Sequence, residues 1–238
     1  FAYEEERWVL KDFSLEIRPG MKVGVVGHTG AGKTTLISLL MRFYEPQKGR
    51  ILIDGRDIRE FDKRALRAAI GIVQQDVFLF SGSIRDNVTL WRQPDEGSRR
   101  AVERALDSMG MGSWLDSSAE LQERGSNLSM GQRQVLAFSR ALSSDPAIWI
   151  LDEATANIDS ETERLLEKSL KQASAGRTSI LIAHRLATVR DADLILVLHQ
   201  GQLLEKGDHR GLMAQDGLYA RLYRYQDAIQ PPPASVGE

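Results

Sequence analysis

Between Lys22 and Leu40 the chain reads KVGVVGHTGAGKTTLISLL, and this stretch limits the fold more than any other. KVGVV is a continuous apolar run, the pattern of a strand buried on both faces inside a parallel sheet. A glycine-rich turn follows, and Thr34 to Phe43 carries helical spacing. Gly27, Gly32, Lys33 and Thr34 fit G-x-x-x-x-G-K-[ST], in the strand-to-helix setting that the motif requires. Glycines let backbone N–H groups curl around phosphate oxygens, and the helix N-terminus adds partial positive charge. In such a loop Lys33 reaches the β and γ phosphates and the Thr34 hydroxyl ligates Mg²⁺. The candidate cradle is Gly27, Thr29, Gly30, Ala31, Gly32, Lys33, Thr34 and Thr35.

The rest of the chain extends the same alternation. Val9 to Ile17 alternates like a half-buried strand. Ile51–Ile53 before Asp54 and Gly55 predicts a short strand and turn, then a helix over Lys63–Ala69 and a strand over Ile70–Gln74. The pattern from Ser83 to Ala141 is helical, clearest at Ser98–Met109 and Gly131–Leu142. Strands then return at Ile148–Leu151, Ser179–Ala183, Leu194–Leu198 and Gln202–Glu205, with a helix at Glu161–Ala173. The alternation predicts an α/β protein with a mostly parallel sheet.

At 238 residues the chain suits one main domain. With 31 basic and 33 acidic residues its formal net charge is −2, which offers nucleic acid no broad basic surface. The absence of Cys excludes disulfides, thiolate chemistry and cysteine metal sites, and suits a reducing compartment. No apolar run approaches the roughly 18 residues of a membrane span, and no signal peptide is seen. Phe1 falls inside what reads as a strand, so a longer parent chain is expected; PPPASVGE, from Pro231, reads as an unstructured end.

Three further sites carry chemistry. AIWILDE brings Asp152 and Glu153 to the C-terminal end of an apolar strand, the edge where ligands of parallel sheets collect. Asp152 can hold Mg²⁺ through water. Glu153 either accepts a proton from attacking water or serves as a helix-capping charge. His184 follows the strand of ILIAHR and is either structural or a contact to the γ-phosphate. In LSMGQ, Ser129 can cap a helix starting near Gly131, whose N-terminus can face an anion; an ordinary cap has the same sequence.

GHTGAGKTT, LSMGQRQ, ILDEATANID and the His of IAHR, in this order and at these spacings, closely resemble the nucleotide-binding domain of ATP-binding cassette (ABC) transporters, from Tyr3 to about Gln226. The resemblance implies a P-loop NTPase (RecA-like) core with a mostly parallel sheet, an antiparallel β subdomain and a helical signature subdomain at about 83–141. It implies one such domain over 1–230 and a disordered tail over 231–238. Two domains would pair head to tail, each holding ATP and Mg²⁺ between its own phosphate loop and the partner's signature loop, here Ser129, Gly131 and Gln132.

By the same resemblance Gln75, beside its rival Gln74, touches Mg²⁺ and water and senses a membrane domain. Glu153 and His184 serve the water and the γ-phosphate, and Asp159 lies on the loop that crosses the dimer interface. Tyr3 would stack on adenine, with core packing as the alternative and Trp8 nearby. Met130 stands where LSGGQ has its first glycine, implying some loss of loop flexibility. Val77, Phe78, Leu79 and Phe80 are either core or part of a groove for short helices of a transmembrane domain.

QDVFLFSGSIRDN and ERGSNLS look most like exporters, and ATANIDSETE resembles subunits of heterodimeric bacterial multidrug exporters. The expected setting is the cytoplasmic face of a cell membrane. Partners would be a second nucleotide-binding domain, of the same or a paralogous chain, and the exporter's transmembrane domains, with no nucleic acid. The rivals are a non-transport ABC-type ATPase of DNA repair or translation, and a small-molecule kinase. The first would carry long coiled coils or a second cassette, and no sustained heptads separate Gly32 from Ser129.

Overall fold

The computed structural model describes residues 1–74, 76–108, 110–116, 119–152, 160–183 and 185–229. Its strands are β1 (Lys22–Val26), β2 (Leu52–Ile53), β3 (Arg56–Asp57), β4 (Ile70–Val73), β5 (Gly82–Ser83), β6 (Glu120–Leu121), β7 (Ile148–Asp152), β8 (Thr178–Ile182), β9 (Leu194–His199) and β10 (Gln202–Gly207). The helices are α1 (Lys33–Leu40), α2 (Lys63–Ala68), α3 (Ile84–Thr89), α4 (Glu96–Ser108), α5 (Met130–Leu142), α6 (Ser160–Ala173), α7 (His209–Ala214) and α8 (Leu218–Ile229). The chain divides into two compact units, Phe1–Glu60 with Ile180–Glu238, and Phe61–Ser179.

In the first unit the strand order is β10-β9-β1-β8. β1 runs parallel to β9, with Val23 opposite Leu194 and Val26 opposite Val197. Val23, Val25 and Val26 are buried, as the apolar run demands. β9 turns back into antiparallel β10 through Gln200 and Gly201. Both have positive φ, 48° and 79°, the pairing that matches the twist of a two-residue hairpin. A side chain at Gly201 would meet the Val9 carbonyl oxygen at 1.9 Å. The hairpin tip donates from Gly201 N to Ala31 O at 3.2 Å and accepts from Lys11 N at 2.9 Å, so it holds the glycine loop on one side and the N-terminal segment on the other. Asp54 and Gly55, also both at positive φ, close the β2–β3 hairpin.

In the second unit β4 lies parallel to β7, with Ile70 opposite Ile148 and Val73 opposite Leu151. Asp62 caps α2 by accepting from Arg64 N and Ala65 N, and Ser83 caps α3 by accepting from Asp86 N. The α5 ring of Phe138 packs against Trp149 of β7 with centroids 5.8 Å apart. Burying rings of this kind contributes about 1.5–3 kcal/mol each.

The α/β class and the mostly parallel pairing agree with the sequence reading, and most element boundaries fall within two residues of it. Phe13–Ile17 alternates between half-buried and exposed as expected, yet forms no hydrogen-bonded ladder among the described residues. Alternation reports which face is wet, and a ladder needs a neighbour as well. β3 and the β5–β6 pair were not expected, because two-residue strands carry no periodicity. α7 and α8 were also missed. Asp208 caps α7 through Gly211 N, and the Glu205 carboxylate accepts from Leu218 N at 2.5 Å and Tyr219 N at 3.0 Å at the start of α8.

That C-terminal corner holds two shifted titratable groups. The Tyr219 ring is fully buried, its hydroxyl lies 2.9 Å from His209 Nδ1, and burial pushes its pKa up to about 12. His209 is held below the usual imidazole range by desolvation, then by the Arg190 charge, with Arg210 adding to it and Asp208 and Asp191 opposing. A depressed folded pKa stabilises the fold above the unfolded value and is lost as pH falls through the folded one. Between about pH 7 and about pH 5 the wild-type chain is therefore expected to lose more thermal stability than His209→Gln. Parallel melting-temperature profiles for the two chains would remove His209 from the pH response.

Candidate nucleotide site

The first cradle is set by backbone contacts that only glycine permits. At Gly27, φ is 156°, and a Cβ would sit 2.4 Å from the Leu198 carbonyl oxygen. At Gly32, φ is 104°, and a Cβ would meet Leu10 Cδ2 at 2.7 Å. Gly30 has open space around it but a φ of 81°, so there conformation and not room selects glycine. Gly32 begins α1 with no side-chain cap among the described residues and no acid in the first turn. By contrast α2, α3, α5 and α7 are each capped by a side chain. The start of α1 thus keeps its N–H donors and partial positive charge for an anion.

Lys33 is buried, and its ammonium donates to Gly27 O at 2.6 Å and His28 O at 3.1 Å, which holds the charge inside the loop. Thr34 is exposed while Thr35 is buried, so the two hydroxyls have different roles. The Tyr3 hydroxyl donates to Thr35 Oγ1 at 3.2 Å, and the Tyr3 ring stays 48% exposed. Tyr3 is therefore outside the core and tied to α1. Its neighbour Trp8 instead receives Lys48 Nζ, 5.2 Å from the ring centroid.

The second unit holds the other predicted cradle. Ser129 caps α5 in a full capping box: its hydroxyl accepts from Gln132 N at 3.2 Å, and Gln132 Oε1 accepts from Ser129 N at 2.9 Å. Met130 occupies the first helical position, outside the positive-φ set and with its side chain exposed, so the backbone here does not call for glycine. Gly131 is different: a Cβ there would strike Thr162 Cγ2 at 2.8 Å. Arg133 donates to Gly125 O at 3.3 Å and Leu128 O at 3.1 Å, tying the preceding loop to the helix. A cavity of about 300 Å³ adjoins the cap, lined by Ser129, Gln132, Met111, Trp114 and Thr162 among others.

A polar knot that the sequence did not announce fixes the far end of α5. Arg140 donates to Asn87 O at 2.8 Å, Phe78 O at 2.9 Å and Asn87 Oδ1 at 3.3 Å. Asn87 is buried, accepts from Phe80 N and donates to Phe80 O and Ser83 O. Burial of the guanidinium lowers its pKa from the usual arginine value. This knot splits the Val77–Phe80 stretch. Leu79 is core, whereas Phe78 and Phe80 face outward and form an aromatic cluster with Trp91. Trp91 could not be singled out from sequence, since nothing in its neighbours marks it as exposed.

Asp152 ends β7, half-buried, at the C-terminal edge of its strand pair. Gln75, Glu153, Asp159 and His184 lie outside the described residues. Among the described residues no three His, Cys, Asp or Glu side chains converge to hold a metal. Thr34 in the first unit offers an exposed hydroxyl and Asp152 in the second a half-buried carboxylate, each the kind of hard oxygen donor that Mg²⁺ takes.

A family model described as ABC transporter matches residues 10–156. The chain belongs to the ABC transporter family. It is 46% identical over 231 residues to a probable multidrug resistance ABC transporter ATP-binding/permease protein, YheH, of Bacillus subtilis, covering 95% of this chain and 34% of that protein. It is 44% identical over 231 residues to an ATP-dependent lipid A-core flippase of Alkalilimnicola ehrlichii, covering 95% and 39%. The solved structure of a bacterial Atm1-family ABC exporter with ATP bound matches with a TM-score of 0.85 at 41% identity, over 99% of this chain and 41% of that one. The chain thus spans between a third and about two fifths of these relatives. It is an ABC transporter ATP-binding domain homologous to exporter ATP-binding/permease proteins. No described helix is long and apolar enough to cross a membrane.

The Gly131 contact gives a direct test. Gly131→Ala is expected to cost a net of about 1 kcal/mol, because overpacking against Thr162 exceeds the helix-propensity gain of alanine. Adding Thr162→Ser deletes the clashing methyl and should restore the urea midpoint, with Thr162→Ser alone as reference. Equal midpoints for Gly131→Ala with and without the second change would place the cost elsewhere.

Proposed function

We propose that this chain is the ATP-hydrolysing domain of an exporter, pairing head to tail with a second nucleotide-binding domain around two MgATP. The observation that carries the reading is the Gly27–Thr34 loop: left-handed glycines, a buried lysine and a helix start left free of side-chain caps make it a phosphate seat. Export as the purpose rests on the relatives, which include a probable multidrug resistance ABC transporter, a lipid A-core flippase and an Atm1-family ABC exporter.

In this reading backbone N–H groups of Gly30 and of Gly32 to Thr34, with the Lys33 ammonium, hold the β and γ phosphates, and Tyr3 stacks on the base. Thr34 and Asp152 would hold Mg²⁺, which when bound neutralises phosphate charge. Glu153 takes a proton from water as the water oxygen bonds to the γ phosphorus and the bond to the β-bridging oxygen breaks, releasing ADP and phosphate. Gln75 and His184 orient the water and γ-phosphate. The partner's signature loop closes the site with the α5 start described for Ser129, Gly131 and Gln132, and Asp159 lines the shared interface. The exposed Phe78, Phe80 and Trp91 cluster, braced by Arg140, is the surface for short helices of a transmembrane domain at the cytoplasmic face of a membrane.

Glu153→Gln is expected to keep ATP binding and lower turnover by about 10² or more, the scale of a lost general base. Light scattering on that variant at matched concentrations is expected to show the mass doubling only with MgATP. Unchanged turnover would remove Glu153 as the base. A monomer that binds MgATP yet never doubles would show that identical chains do not pair unaided.

A further inference from the structure

The Tyr3 ring is half-exposed, so something must hold its orientation, and the first unit supplies four contacts. Its hydroxyl is bonded to Thr35. The Phe1 ring meets it edge to face at 4.9 Å and 85°, and the Tyr44 ring does the same at 5.0 Å and 88°. Edge-to-face contacts use the rim of one ring against the face of another and hold a plane more firmly than apolar burial alone. The fourth contact is to the backbone beside it. Gln47 Oε1 accepts from Ala2 N at 3.1 Å, while Gln47 Nε2 donates to Ala2 O at 2.6 Å.

A side-chain amide that satisfies both backbone groups of one residue substitutes for a neighbouring strand. That matters because the chain after Tyr3 loops out before Trp8 bridges back to Ala2 and Val9 N donates to Phe1 O at 2.8 Å, so Gln47 holds the opposite edge of Ala2. Glu4, Glu5, Glu6 and Arg7 are all exposed, Glu6 sits at a φ of 69°, and the Arg7–Glu4 ion pair is fully wet and worth little. On the other side of Tyr3, Ala2 is buried and clamped. Gln47 itself is exposed, lies four residues before Ile51 in the loop after α1, and contributes no apolar packing that the fold depends on.

We propose that Gln47 is a positioning residue for nucleotide-base recognition: by clamping the Ala2 backbone, with Tyr44 bracing the ring, it presents the Tyr3 face to the base. The inference rests on the ATP-binding reading above and adds residues that act through Tyr3 without touching phosphate. The braces supply a ring face and no base-edge hydrogen bond, so the effect is shared by purines and absent from a ligand without a base.

The test is titration calorimetry of the full chain with MgATP, MgGTP and magnesium tripolyphosphate, together with steady-state ATPase kinetics and melting temperatures. Base stacking is worth about 1–3 kcal/mol by alanine substitution, so Tyr3→Ala should weaken MgATP about 5- to 150-fold. Gln47→Ala should weaken MgATP and MgGTP alike, about 3- to 10-fold, raising KM with kcat and tripolyphosphate affinity unchanged, while the lost Ala2 hydrogen bonds lower the melting temperature without unfolding the chain at the assay temperature. Gln47→Glu, which sets an oxygen against Ala2 O in place of the donor, should behave like the alanine variant. Weakened MgATP binding by Tyr3→Ala with wild-type binding by Gln47→Ala would overturn the inference and leave the ATP reading intact. Equal losses for MgATP and tripolyphosphate in Gln47→Ala would also overturn it, by showing damage to the phosphate seat. Wild-type MgATP binding by Tyr3→Ala would overturn it at its root, and a wild-type chain that binds none of the three ligands would instead defeat the nucleotide reading itself.

Discussion

Where Gly27 passes the carbonyl of Leu198 there is room for a hydrogen and for nothing larger. The first unit is organised around this backbone-on-backbone approach. The strand that delivers the loop, β1, must lie in register with β9, whose end carries that carbonyl. The hairpin beyond β9 must turn tightly enough for Gly201 to reach Ala31 and Lys11. A phosphate seat of this sort cannot be moved to a different edge of the sheet without losing the contacts that shape it. Side chains then fill in chemistry on a backbone already fixed, with Lys33 turned inward and Thr34 outward.

The two helix starts solve different electrostatic problems. The first turn of α1 is left uncapped by side chains and is given a buried cation. The first turn of α5 is capped by its own Ser129 and Gln132 and is followed by arginines that tie loops to it, Arg133 toward Gly125 and Arg140 toward Phe78 and Asn87. One end is built to receive charge directly, and the other is built to keep its place while being read from outside.

Legibility in the sequence followed the physics of each signal. β1, β4, β7, β8 and β9 were visible because burial on both faces writes uninterrupted apolar runs. Lys33, Thr34 and the glycines were visible because a phosphate loop needs those residue types at fixed spacing. Ser129 was visible as a cap, and its partner Gln132 completes a box that sequence spacing alone allows. Gln47, Tyr44, Asn87 and Arg140 were not visible. Their roles arise from pairings separated by about 40 to 55 positions, and no local periodicity records such a pairing. β3, β5 and β6 were too short for any period to show, and α7 and α8 lie beyond the last of the nucleotide-site motifs.

Met130 illustrates a separation of duties at the start of α5. Its backbone is an ordinary first helical residue and its side chain is exposed, touched at Sδ by Arg133 Nη2 at 3.8 Å, while the adjacent Gly131 has a neighbour 2.8 Å from any added carbon. The two adjacent positions are therefore unequal as substrates for sequence drift. At the first, many side chains can be exchanged without altering the polar end of the helix, so it can acquire partner-specific surface. At the second, the packing of α6 holds the residue to hydrogen, and change there requires a compensating change at Thr162. A five-residue signature can thus diverge at one letter and stay fixed at the next for reasons that lie in the helix behind it.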